Sequence, residues 1–151
     1  MKRNLLRFSG FVLLIILTGC TFDYSETGLH INREKDGAEL LLAKRSLRYL
    51  AENKRDSLKK MLNPSILKRT APDQMEWLFK NGQKVLKDYI YPDDSLITVS
   101  NFTKKSVFGT DIVKEFNFPF RSKIFPDSAR YFKIAIENRQ IYKLLLFTGR
   151  Q

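Results

Sequence analysis

The sequence predicts an α+β fold, with N-terminal helices packed on an antiparallel sheet of about four strands. Three observations lead there. Between Ala38 and Tyr89 apolar residues recur at helical spacing. From Leu96 onward they alternate at every second position. Pro92-Asp93-Asp94 separates the two regimes. The chain has 151 residues, 43% of them hydrophobic, with 12 Phe and 6 Tyr, which suits one domain with a modest core.

The first helix is expected from about Ala38 to Asn53, with Leu40, Ala43, Leu47 and Leu50 on one face and Lys44, Arg45 and Arg48 away from it. Asn53 to Asp56 breaks it. A shorter helix with Leu58, Met61 and Leu62 ends at Asn63-Pro64, because the residue before proline is pushed out of helical geometry. The next opens near Pro72, where proline fits the first turn and Asp73 and Glu76 suit the positive helix end. Met75, Leu78, Phe79, Gly82, Val85, Leu86 and Tyr89 form its apolar face, and Lys80, Lys84 and Lys87 a basic stripe.

In the second half, Leu96 to Phe102 reads as a strand and Lys104 to Gly109 as a turn. In Thr110 to Arg121, Ile112, Phe116, Phe118 and Phe120 point one way, and Val113, Glu115, Asn117 and Arg121 the other. Pro119 implies an edge or a bulge. After a loop from Phe125 to Ser128, Tyr131 to Glu137 and Ile141 to Phe147 form a hairpin about Asn138-Arg139, a tight turn without the favoured Asn-Gly pair. The run Leu144-Leu145-Leu146 predicts burial on both faces or a central place in the sheet.

The N-terminus follows another pattern. Lys2, Arg3 and Arg7 precede an apolar run from Phe8 to Leu17, then Leu17-Thr18-Gly19-Cys20. The run is too short to span a bilayer, which takes roughly 20 residues. The last four residues resemble the lipobox of bacterial lipoproteins. The resemblance implies that residues 1–19 are a lipoprotein signal peptide, with Leu17 in an apolar pocket of the signal peptidase, and that Cys20 is acylated. Cys20 is the single cysteine, so an intramolecular disulfide is excluded and lipidation accounts for an exported thiol. Two or more acyl chains give stable anchoring. Residues 20–37, polar and without periodicity, are expected as the lipidated tether, and 38–151 as a single α+β domain. In enteric-type sorting a residue other than aspartate after the cysteine, here Thr21, points to the outer membrane, at its periplasmic face or surface, rather than the inner membrane. The formal charge is +11, to which Lys2, Arg3 and Arg7 contribute three. Export makes nucleic acid an improbable partner for this basic chain. The expected partners are the membrane, through the lipid on Cys20, and an envelope protein or a small apolar ligand.

The domain resembles the nuclear transport factor 2-like superfamily in its small lipoprotein forms. The resemblance rests on Ala38 to Leu50, the break Asn53-Lys54-Arg55-Asp56, Leu58 to Leu62 with Pro64, and the closing hairpin Tyr131 to Ile136, Asn138-Arg139-Gln140 and Ile141 to Phe147. The glycine and tryptophan common in that hairpin are replaced by Arg139 and Tyr142. The resemblance implies a curved, cone-like sheet under the helices. By pattern Trp77, Phe116, Phe118, Phe132 and Tyr142 line the cone as a ligand pocket or simply form the core.

Catalytic chemistry finds little support. His30 is the single histidine and falls in the tether, so triads and histidine-rich metal sites have no basis. No glycine-rich phosphate loop is present. Asp88, Asp93 and Asp94 beside Tyr89 and Tyr91 are the nearest approach to an acid–base group, and Pro92 marks that stretch as a turn. The expectation is a non-catalytic, membrane-anchored binding or interaction module without cofactor or metal. The alternatives are an enzyme using a cone-buried carboxylate and tyrosine, and a structural envelope-assembly lipoprotein with a filled core.

Overall fold

The computed structural model describes residues 21–106, 109–125 and 127–147. In chain order the elements are β1 (Thr21–His30), α1 (Arg33–Ala51), α2 (Arg55–Met61), α3 (Pro64–Arg69), α4 (Pro72–Asp88), β2 (Tyr89–Ile90), a 3-10 turn (Asp94–Leu96), β3 (Thr98–Ser106), β4 (Gly109–Ser122), β5 (Ala129–Glu137) and β6 (Gln140–Phe147). The strands form one antiparallel sheet in the order β1-β3-β4-β5-β6, and β2 pairs with β4 off this path. The mixed α+β architecture agrees with the sequence reading, with six strands where about four were expected.

One added strand is β1. The stretch expected as a tether pairs with β3 from Thr21↔Lys105 to His30↔Thr98, with two register shifts on the way. α1 then starts at Arg33, ahead of the expected Ala38, because Asn32 caps it. The Asn32 side chain accepts from the backbone N–H of Glu34 (3.0 Å) and Lys35 (3.3 Å), and Asp36 accepts from the Asn32 N–H (2.9 Å). These bonds satisfy donors that a helix start otherwise leaves open. The other addition is β2, where Tyr89 and Ile90 pair with Ser122 and Arg121.

The helices lie on one face of the sheet. Phe116, Phe118 and Phe120 of β4, Phe132, Ile134 and Ile136 of β5 and Ile141 of β6 pack with Leu40, Leu47, Leu50, Leu58 and Phe79 in one buried cluster. Alternation in β4 puts these phenylalanines on the same side, as the sequence pattern requires. α1 and α4 approach closely at Gly82, where a Cβ would stand 2.5 Å from Cδ2 of the buried Leu50.

The strands of the β3–β4 hairpin run through Ser106 and from Gly109, so most of the stretch expected as a turn is paired. Pro119 lies between the β3-paired part of β4, which ends at Asn117, and the β2-paired part, which begins at Arg121. It occupies a local edge, where a missing N–H is tolerated. In the β5–β6 turn Asn138 (φ 50°) and Arg139 (φ 60°) are both left-handed, the geometry of a type I′ turn. β6 departs from expectation. Its leucine run sits at an edge of the sheet, with β5 as its only strand neighbour among the described residues. At its outer side the first residues are engaged: Ile141 by Leu62 and the Asn63 N–H, and the Gln140 side chain by the Asn63 Nδ2 at 3.1 Å. The pattern reflects burial against the helices by Leu144 and Leu146, which pack on the core from one face.

Two stability changes follow. Gly82→Ala gains about 1 kcal/mol of helix propensity but loses about 1–3 kcal/mol to overlap with Leu50. Urea unfolding should show net destabilisation, reversing to a gain when Leu50→Ala is already present. Arg139→Gly relieves a left-handed side-chain conformation and should raise stability by about 0.5–1 kcal/mol. An unchanged or lower urea midpoint would show that the turn is not strained.

Candidate functional site

The sheet face opposite the helices has its own small core. Phe102 faces Val113 across β3–β4, and both pack with Ala135 and Tyr142. Two carboxylates are buried there, Glu115 (6% exposed) and Glu137 (5%). A carboxylate withdrawn from water needs ionic or hydrogen-bonded partners. Glu115 meets the Lys143 Nζ at 2.9 Å and the Lys133 Nζ at 3.6 Å. Glu137 accepts from the Lys104 Nζ at 2.8 Å, and that ammonium lies 4.8 Å from the Tyr142 ring centroid. The register explains the reach of Lys143. Glu115, Ala135 and Lys143 form one row across β4, β5 and β6, and the small Ala135 leaves the lysine room to extend over it.

At the end of the sheet where the β3–β4 and β5–β6 hairpins turn, an open groove of about 610 Å³ is lined by Glu39, Thr110, Asp111, Ile112, Lys114, Ile136, Asn138 and Arg139. Lys114 is fixed by Asp36 (3.0 Å), Glu39 (3.5 Å) and the Lys35 carbonyl. The Asn138 Nδ2 donates to Asp111 at 3.4 Å. The groove is thus polar and carries both signs of charge, suited to a zwitterionic or peptide-like group rather than an apolar one. Its residues come from α1, β4, β5 and the β5–β6 turn, and sequence reasoning missed it. The one local signal was the tight turn at Asn138-Arg139.

Of the five residues expected at a pocket or in the core, Phe116, Phe118 and Phe132 come together in one buried cluster. Phe116, Phe118 and Phe132 are 0% exposed and line no water-sized space. They fill the core between sheet and helices. Tyr142 packs on the opposite face, and Trp77 is 47% exposed on α4. Cys20 and residues 1–19 lie outside the described residues. The acidic turn is dispersed as well. Asp94 is paired with Lys44 and, at 3.9 Å, with Arg33, and Tyr89 shares a hydrogen bond with Ser128 at 3.3 Å. Tyr91 sets its ring edge-on to Phe118 and Phe120, and burial, then the Asp94 charge, pushes its phenol well above the usual range. Lys80, Lys84 and Lys87 are exposed, and Lys44 is paired with Asp94.

Among the described residues no group of three or more His, Cys, Asp or Glu is placed to hold a metal ion, and no helix is long and apolar enough to cross a membrane. No protein-family model, no curated protein and no solved structure matches the chain.

The lysine–carboxylate pairs make a stability prediction. Lys104→Met leaves Glu137 buried without its cation and should cost about 1–3 kcal/mol, reduced from a fully buried pair because Lys104 is partly solvated. Adding Glu137→Leu should restore most of the loss. A double variant as unstable as Lys104→Met would show that packing, not charge, sets the cost.

Proposed function

We propose that the protein is a lipid-anchored lipoprotein of the bacterial envelope, acting as a non-catalytic interaction module that recognises its partner from outside. Residues 1–19 serve as signal peptide, and Cys20 carries the lipid. The sheet is read as the curved, cone-like sheet of the nuclear transport factor 2-like superfamily, with its cone filled. The observation that carries this reading is the complete burial of Phe116, Phe118 and Phe132 in the core between sheet and helices, which supports a filled interior. Recognition then falls to the exterior, where the groove at the hairpin end offers Asp111, Asn138 and Arg139.

The position of β1 supports a specific orientation. Thr21 pairs with Lys105, beside the β3–β4 turn, so the chain enters the sheet directly after Cys20 without a spacer. A lipid on Cys20 would hold the hairpin end and its groove near the headgroups. The loop after Ser122 would lie about 40 Å away, at roughly 3.3 Å per residue of β4. Thr21 after the cysteine favours the outer membrane. An enzymatic reading would need a buried carboxylate free to act beside a tyrosine. Glu115 and Glu137 are each held by lysine, which argues for a structural role.

Metabolic labelling with an alkyne fatty acid tests the anchor. The native chain should be labelled and should sediment with the outer membrane. Cys20→Ser should lose the label and keep residues 1–19. Label on Cys20→Ser, or none on the native chain, would overturn the reading.

A further inference from the structure

We infer that β6 is an interaction edge, and that a second copy of this chain pairs with it antiparallel, joining the two sheets. The two edges of the sheet are unequal. β1 is irregular, with two register shifts, Gly28 at φ 64°, and Glu26 along it. Shifts and charges of this kind are how edge strands avoid joining other chains. β6 has no such protection beyond its first residues. Its one irregularity lies at Ala135/Ile136, and from there Lys143, Leu144, Leu145 and Leu146 run in regular register with β5. Among the described residues no strand pairs with its outer side past Ile141. Leu145 is 39% exposed, in a run whose composition is that of a central strand.

The single charge on this stretch does not guard it. A lysine on an edge strand ordinarily blocks pairing by its charge and hydration. Lys143 reaches over Ala135 to Glu115, at 2.9 Å, so its ammonium is held on the sheet face, paired with a carboxylate it shares with Lys133, rather than along the outer edge.

A second copy fits because the stretch complements itself. In an antiparallel two-fold pair, opposed residues share a sheet face. Centred on Leu145, the pair sets Leu144 against Leu146 of the other copy. Centred on Leu144, it sets Lys143 against Leu145. Neither register opposes two charges. Only centring on Lys143 does, and like charges directly opposed disfavour it.

Single cysteines at Lys143, Leu144, Leu145 and Leu146 in the full chain, purified from membranes in detergent and oxidised, test the pairing. The expected result is a disulfide-linked species of twice the chain mass, with maximal yield at Leu144→Cys or Leu145→Cys. It should be absent from the native chain and from Leu41→Cys, an exposed leucine on α1. A native chain that cross-links by itself would report a free Cys20 and so count against the lipid anchor. In that event Cys20→Ser is introduced throughout, and the edge is judged on the same pattern. Leu145→Lys should abolish the dimer in sedimentation while leaving circular dichroism unchanged, and should remove the concentration dependence of the unfolding midpoint. A native chain that sediments as a monomer, equal cross-linking at Leu41→Cys, no cross-link at any of the four positions, or a cross-link only to a chain of different mass would overturn the proposal.

Discussion

The structure depends on β4 being buried on both faces. Phe116, Phe118 and Phe120 commit one face to the helices, and Val113 and Glu115 commit the other to the second cluster. Along its edges β4 pairs with β3, β5 and β2. A strand so placed fixes the register of everything beside it, because a slip of one residue would send three phenylalanines to the wrong face and bring Glu115 into the helix-side core. The closeness of α1 and α4 follows from it. The helices must cover the phenylalanine face, and Gly82 lets α4 approach Leu50 while doing so.

The same strand accounts for the charged groups on the opposite face. A fully apolar second face would need another layer to cover it. Here Tyr142 packs on Phe102, Val113 and Ala135, and the ammonium ends of Lys104, Lys133 and Lys143 pair with Glu137 and Glu115. The carboxylates thus draw lysines onto this face of the sheet. This explains how two buried carboxylates can be structural. It also separates them from the acid–base role that a buried carboxylate near Tyr142 would otherwise suggest.

What was legible in the sequence was local. Alternation from Ile112 to Phe120 gave β4 and its faces, Pro72 gave the start of α4, and Asn138-Arg139 gave the closing turn. These signals lie within one element. β1 was not legible, because its pattern is broken by register shifts and its order comes from β3, more than 60 residues away in the chain. The groove failed for the same reason, since Glu39, Asp111 and Arg139 meet only when the hairpin ends are brought beside α1. The aromatic set left pocket and core open as alternatives. Spacing placed Phe116, Phe118 and Phe132 on an inner face, but spacing does not distinguish a lined cavity from a filled one. Side-chain volume decides that, and four phenylalanines with Phe79 opposite fill the space.

The two edges of the sheet carry the remaining physical argument. An edge strand exposes unpaired N–H and C=O groups, and a chain that persists as a monomer must make that edge unattractive. β1 meets this requirement with its register shifts and Glu26. β6 has the means to meet it in Lys143, yet that lysine is drawn to Glu115, the buried carboxylate of β4 that it shares with Lys133. The demand of β4 for a compensating cation thus strips β6 of its guard. The inner demands of the sheet and the openness of its outer edge are one constraint, linked through a single row of residues, Glu115, Ala135 and Lys143.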